Sequence, residues 1–305
     1  MDEKQYEIHT DLALEAKESF EGDGGEIPGV SLEESYQERA RMKVTRVDIL
    51  NEQGAAAMRK SIGTYITLEA DFRDYEEECR DILADYIRQL LPEGARKLLT
   101  VGLGNGDMTA DSLGPIAVSH LWITGHLAED GVSMSGIAPG VMAQTGMETA
   151  RIVEGIAKEI RPDAIIVIDA LAARSTARLG RTIQLTDTGI HPGSGVGNHR
   201  KGLNQETLGI PVIAIGVPTV VGAATIACDT LDGLIAFLSE WKETEMVSDT
   251  LKNLENEEKY ALMREIMEPR FGSLYVTPKD IDETVIHLGG FVADGINTAI
   301  YGYLS

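Results

Sequence analysis

KLLTVGLGNGDMTADSLGP, residues 97–115, decides the architecture of this chain. Its first half is a continuous apolar run, its middle a turn carrying Gly102, Gly104 and Asn105, and its end the opening of a helix. An unbroken apolar run is what a strand buried on both faces requires, because neither side of it meets water. The pattern recurs in DAIIVIDAL, residues 163–171, and in PVIAIGVP, residues 211–218, each closing on Asp, Gly or Pro. Helical periodicity fills the intervals at 112–128 and 147–160, and another helix is expected at 222–241. Strands alternating with helices build a parallel sheet covered on both faces. The expected fold class is therefore α/β, a doubly wound, mostly parallel sheet flanked by helices.

The flanking sequence reads differently. KVTRVDIL at 43–50 and SIGTYITLEA at 61–70 alternate apolar and polar residues, as half-buried strands do, and predict a small added β-containing unit. Residues 75–92 have the period of an amphipathic helix. Before them, residues 1–29 are polar and end in EGDGGEIPG, a composition that predicts an exposed arm. Residues 242–270 are strongly charged with helical period and predict a solvated insertion, and a last helix is expected at 290–303.

Composition narrows the function. With 305 residues, 43% hydrophobic and 25% charged, the chain has ample apolar material for a sizeable core. No apolar run approaches the roughly 20 residues of a membrane span, and the start MDEKQYEIHTD is the opposite of a signal peptide. A cytoplasmic protein without membrane contact is expected. Cys79 and Cys228 stand far apart with no CxxC, which predicts reduced thiols and no thiolate metal site. The formal charge of −22 repels nucleic acid and favours a basic partner.

In an open parallel sheet the chemistry collects beyond the carboxyl ends of the strands. Two aspartates stand there: Asp111, following the glycine turn, and Asp169, directly after buried aliphatics. A carboxylate in such a position is costly unless paired or functional. The bland readings are a helix N-cap for Asp111 and a loop cap for Asp169. Brought together, the two could share a proton, orient a water or bind a metal. GIHPGSGVGNHRK, residues 189–201, adds a glycine-rich loop with His191, Gly193, Gly195 and His199, ranked as substrate-binding candidates together with Asn105. GLGNGD lacks the third glycine of a dinucleotide turn, and GxxxxGK, GxSxG and HExxH are all missing, so carboxylate chemistry or binding remains.

Taken together, VGLGN with TADSLGP, APGVMAQTGMET, VIDALAARS, GIHPGSGVGNHRK and IGVPTVV resemble the germination protease family of spore-forming bacteria over most of the chain. The resemblance implies an atypical aspartic endopeptidase with a core similar to hydrogenase-maturation endopeptidases, no cofactor, and Asp111 and Asp169 as the catalytic pair. HTDLALEA, residues 9–16, looks like the family's self-cleavage site, with the cut between Asp11 and Leu12. That implies a propeptide at 1–11, an arm and small β/α unit at 12–95, and a catalytic core at 96–305. The implied substrates are the basic, DNA-binding small acid-soluble spore proteins, the implied assembly a homotetramer, and the implied location the forespore and spore core. The chain departs from the family's usual pattern at His9, Ala110 and Gly222, where Arg, Pro and Asp are usual. Two other readings compete: a metal-dependent maturation endopeptidase using the same carboxylates with His191, and a nucleotide- or peptide-binding module.

Overall fold

The computed structural model describes residues 10–18, 27–127, 131–191, 201–239, 251–254 and 256–302. Its strands are β1 (Val30–Gln37), β2 (Met42–Ile49), β3 (Gly63–Glu69), β4 (Lys97–Gly102), β5 (Ser133–Ile137), β6 (Ala164–Ala173), β7 (Thr182–Thr186), β8 (Val212–Gly222) and β9 (Tyr275–Val276). They form one sheet in the order β1-β2-β3-β7-β8-β6-β4-β5, with β9 added to the end of β8. The helices are α1 (Ala13–Glu18), α2 (Glu52–Met58), α3 (Glu76–Leu90), α4 (Leu113–Ser119), α5 (Met142–Thr145), α6 (Thr149–Ile160), α7 (Gln205–Leu208), α8 (Ala223–Leu238), α9 (Asn256–Phe271) and α10 (Ile281–Tyr301).

The three apolar runs of the sequence are β4, β6 and β8, and they pair in parallel with β5 to make the sheet's centre. Ile166 and Ile168 of β6 face one layer, where α3, α4 and α10 supply Leu83, Leu113 and Phe291. Ile165 and Val167 face the other, where α6 supplies Val153 and Ala157. Burial on both faces is why these strands carry no polar alternation. The wing β7-β3-β2-β1 is antiparallel throughout, and β3 joins β7 so that residues 12–95 share their sheet with the core. β1 lies at the edge with most of its side chains exposed.

Several expected elements differ in extent. Helix α4 stops at Ser119 rather than running to 128, because the next segment bonds elsewhere: Trp122 N–H donates to Asn297 Oδ1, and the N–H groups of Thr124 and Gly125 to the Met134 carbonyl. Helix α10 begins at Ile281, nine residues before position 290, and Ile281 and Val285 near its start are buried. Of the charged segment at 242–270, the described part from Asn256 onward is α9, which packs on α8.

The strand order places β5 and β6 on opposite sides of β4. The chain therefore leaves β4 toward one edge and returns to its other side, and the crevice at such a reversal is where open α/β sheets hold their ligands.

Candidate active site

The loop leaving β4 is folded around its own aspartate. Asp111 ends a short three-ten turn, Thr109–Asp111, and its Oδ2 accepts the Asn105 N–H at 2.8 Å. Gly104 has φ +106, and a Cβ there would lie 2.0 Å from the Asp111 carbonyl oxygen, so glycine is required for the loop to close. The N-cap position of α4 belongs to Ser112, so Asp111 closes the loop rather than capping the helix. Thr219 on β8 donates to the Ala110 carbonyl at 2.6 Å and ties the turn to the sheet.

Asp169 stands inside β6, 6% exposed, with Oδ1 accepting the Ala170 N–H at 3.0 Å. Asp111 and Asp169 line one cavity of about 350 Å³, together with Gly104, Met108, Val141 and Thr219. That volume has room for several waters at about 30 Å³ each. Asp11 lines the same cavity.

Asp11 reaches it because residues 10–18 dock against the end of β6, with Ala13–Glu18 forming helix α1. Asp11 N–H donates to the Ala172 carbonyl at 3.1 Å, and the Asp11 carboxylate accepts the Ala172 N–H at 3.0 Å. Leu12 is fully buried against Leu171, Ala173 and Val221. Ala13 N–H donates to Gln184 Oε1 at 2.7 Å. Glu15 is 2% exposed, and its carboxylate accepts the N–H groups of Arg174 and Ser175 at 2.7 and 3.0 Å and the Thr10 hydroxyl. Arg178 lies 3.6 Å from it and also pairs with Glu18 and Glu69. A buried carboxylate is tolerated when its oxygens are satisfied in this way. The exposed arm expected at residues 1–29 is thus anchored over residues 10–18.

The remaining candidates separate. The Asn105 side chain is engaged by its neighbours, its Oδ1 accepting the Asp107 N–H at 3.0 Å and Gln144 Nε2 at 2.7 Å, so it braces the loop. His191 is exposed beside Gly202 and is not among the cavity's lining residues. Gly193, Gly195 and His199 lie outside the described residues. Among the described residues, no group of three or more His, Cys, Asp or Glu side chains gathers in a way that could hold a metal ion. No helix among them is long and apolar enough to cross a membrane.

Two residues with no signature in the sequence hold the Asp11 backbone, though neither lines the cavity. The Asp11 carbonyl accepts Lys60 Nζ at 2.9 Å and Gln184 Nε2 at 3.2 Å. Lys60 also donates to the Thr10 carbonyl at 3.1 Å. Burial pushes the Lys60 ammonium below its usual range, against the opposing pull of Asp11 and Glu15.

The family model described as germination protease matches residues 7–253. The germination protease of Clostridium tetani is 45% identical over 309 residues, covering 96% of this chain and 95% of that protein. That of Caldanaerobacter subterraneus is 46% identical over 308 residues, covering 96% and 94%. That of Priestia megaterium is 40% identical over 357 residues, covering 99% and 95%. Among solved structures, a [NiFe] hydrogenase maturation protease from Thermococcus kodakarensis aligns with a TM-score of 0.34 at 14% identity, covering 70% of this chain and 98% of that one. The chain belongs to the germination protease family and is a protease.

Proposed function

We propose that the chain is an aspartic-type endopeptidase made as a zymogen, that it cuts itself between Asp11 and Leu12, and that it then acts on small acid-soluble spore proteins in the germinating spore. The observation that carries this is the docking of Asp11 on the wall of the cavity lined by Asp111 and Asp169. The residue before the expected cut thus lines the cavity that Asp111 and Asp169 also line, which supports the reading.

The chemistry follows from the carboxylates. Catalysis by a carboxylate pair uses one acid in its ionised form and the other in its protonated form. The ionised carboxylate takes a proton from water as the water attacks the Asp11 carbonyl carbon, and the protonated one supplies the proton that the Leu12 nitrogen needs to leave. The docked arm also supplies a pattern for substrates: an acidic residue before the cut, an apolar one sealed under Leu171 and Val221, and a carboxylate four residues after the acidic one, met by Arg178. Such segments in a basic protein would be drawn in by the acidic surface. A homotetramer in the spore core is the assembly and location this reading carries.

Incubation of the full-length chain at mildly acidic pH, followed by mass spectrometry of the new amino terminus, tests it. The expected result is a chain beginning at Leu12, with Asp111→Asn and Asp169→Asn each slowing its appearance by about 10³-fold. Undiminished cutting in either variant would remove that residue from catalysis, and loss of cutting with a chelator would favour the metal-dependent reading.

A further inference from the structure

Resting on the reading that the Asp11–Leu12 bond is cut, we propose that Lys60 and Gln184 are catalytic residues: they form the oxyanion site that receives the charge developing on the Asp11 carbonyl oxygen.

The geometry has three parts. The first is the convergence of two donors on one oxygen, Lys60 Nζ at 2.9 Å and Gln184 Nε2 at 3.2 Å. Donors aimed at the atom where charge develops are among the largest sources of rate enhancement in acyl-transfer chemistry. The second is preorganisation. Gln184 is 6% exposed, and its Oε1 accepts the Ala13 N–H at 2.7 Å. With the oxygen of the amide fixed by that N–H, the NH₂ group is left facing the Asp11 carbonyl. The residue two places after the cut therefore orients the donor, and any substrate held in the same register would do likewise.

The third part is register. Asp169 on β6 and Gln184 on β7 are both cross-strand partners of Gly216 on β8. Directly paired residues point to the same face of a sheet, so the acid and the amide stand at one level, two strand spacings or roughly 10 Å apart. The docked peptide lies on that face, with Leu12 packed on Leu171 and Ala173 of β6. The wing strands thus contribute the donor while the parallel centre contributes the acid.

Anchoring alone does not require Lys60. The arm is already fixed by the Asp11–Ala172 pair, by the Leu12 pocket and by the Glu15 carboxylate. Desolvating an ammonium is costly, and the Lys60 donors go to the carbonyls of Thr10 and Asp11. In the reaction, water oxygen bonds to the Asp11 carbonyl carbon and gives its proton to the ionised carboxylate. The carbonyl π electrons move to the oxygen between Lys60 and Gln184. As the oxyanion collapses, the carbon–nitrogen bond breaks and the Leu12 nitrogen takes a proton from the protonated carboxylate, leaving a carboxyl terminus at Asp11 and an amine at Leu12.

The test is the first-order self-cleavage rate of the full-length chain, measured beside amide hydrogen exchange at residues 10–18, which reports docking of the arm. Lys60→Met should cut about 10²- to 10³-fold more slowly with exchange protection unchanged. Gln184→Glu keeps the acceptor for Ala13 and removes the donor, so it too should slow cutting while the arm stays docked. Lys60→Arg, which keeps the charge, should recover part of the lost rate. Exchange protection in β6 verifies that each variant folds. An unchanged rate in Lys60→Met would overturn the proposal, and so would a rate loss matched by loss of protection, which is what a residue that only holds the arm predicts. Absence of cutting in the wild type would overturn the self-processing reading itself, and this inference with it.

Discussion

Cys79 and Cys228 are both kept out of nucleophilic chemistry by their surroundings. Burial, then the neighbouring acids, pushes each thiol up to about 11. For Cys228 the acids are Asp229 and Asp232; for Cys79, fully buried, Glu78 is the nearest of them in effect. Since the thiolate is the reactive form, at pH 8 only about one thiol in 10³ is reactive. Alkylation of native Cys228 by iodoacetamide should therefore run about 10²-fold slower than that of a free thiol at pH 8 and climb about tenfold per pH unit toward 11, while self-cleavage at lower pH is unaffected. Mass mapping of alkylated peptides over pH checks both. The same residue scale shows what the sequence could disclose about the site. Asp169 was legible as a candidate because it stands directly beyond an apolar run, where a carboxylate is costly, and Asp111 because it follows a glycine turn at a strand end. Lys60, in the turn RKS after α2, and Gln184, inside TIQLT, were not legible. A lone Lys in a turn reads as surface, and Gln184 meets Asp11 only through the pairing of β7 with β8 and of β8 with β6.

Among elements, the crossing of β4 with α4 fixes how far Asp111 stands from the sheet. A Cβ on Gly114 would lie 2.3 Å from the Leu103 carbonyl oxygen and 2.5 Å from its nitrogen, and one on Gly102 would lie 2.1 Å from the Gly114 carbonyl oxygen. Both contacts are with backbone, which cannot rotate away as a side chain does. Gly114→Ala should therefore cost about 1–3 kcal/mol of stability by forcing the helix off the strand, and should slow self-cleavage by displacing the turn that holds Asp111. Gly155→Ala on α6, where a Cβ meets nothing within 4 Å, is the control and should raise stability by up to about 1 kcal/mol. Urea denaturation of the two variants separates these outcomes. Elements buried on both faces were legible for the same reason that they pack tightly: β4, β6 and β8 are apolar at nearly every position. β1 was not, because an edge strand with VSLEESYQ exposed on both sides shows no contrast between its faces. The start of α10 was missed beside Gly289 and Gly290, and Gly289 proves to be a packing residue, where a Cβ would lie 2.6 Å from Ile116 Cγ2.

For the whole molecule, charge and anchoring act on different steps. The formal charge of −22 creates a field that would reach a basic protein before contact, and that field weakens as salt shortens its range from about 10 Å at 0.1 M to about 3 Å at 1 M. The arm at residues 10–18 has no such approach to make. It is already seated, with Leu12 fully buried and the Glu15 carboxylate bonded to the Arg174 and Ser175 N–H groups. Short contacts of buried groups are screened much less than exposed charges. Raising salt from 0.1 to 1 M should therefore lower kcat/KM of the processed enzyme on a basic protein substrate by about tenfold or more, through encounter, while the first-order rate of self-cleavage changes by less than about twofold. Stopped-time assays of both reactions in one salt series make the comparison. Equal slowing of the two would mean that the arm leaves its seat and returns, or is cut by a second copy, before its bond breaks. A salt-insensitive self-cleavage beside a salt-sensitive substrate reaction would mean that the bond is cut where it is docked, under Lys60 and Gln184, and that the acidic surface serves the enzyme only after the arm has gone.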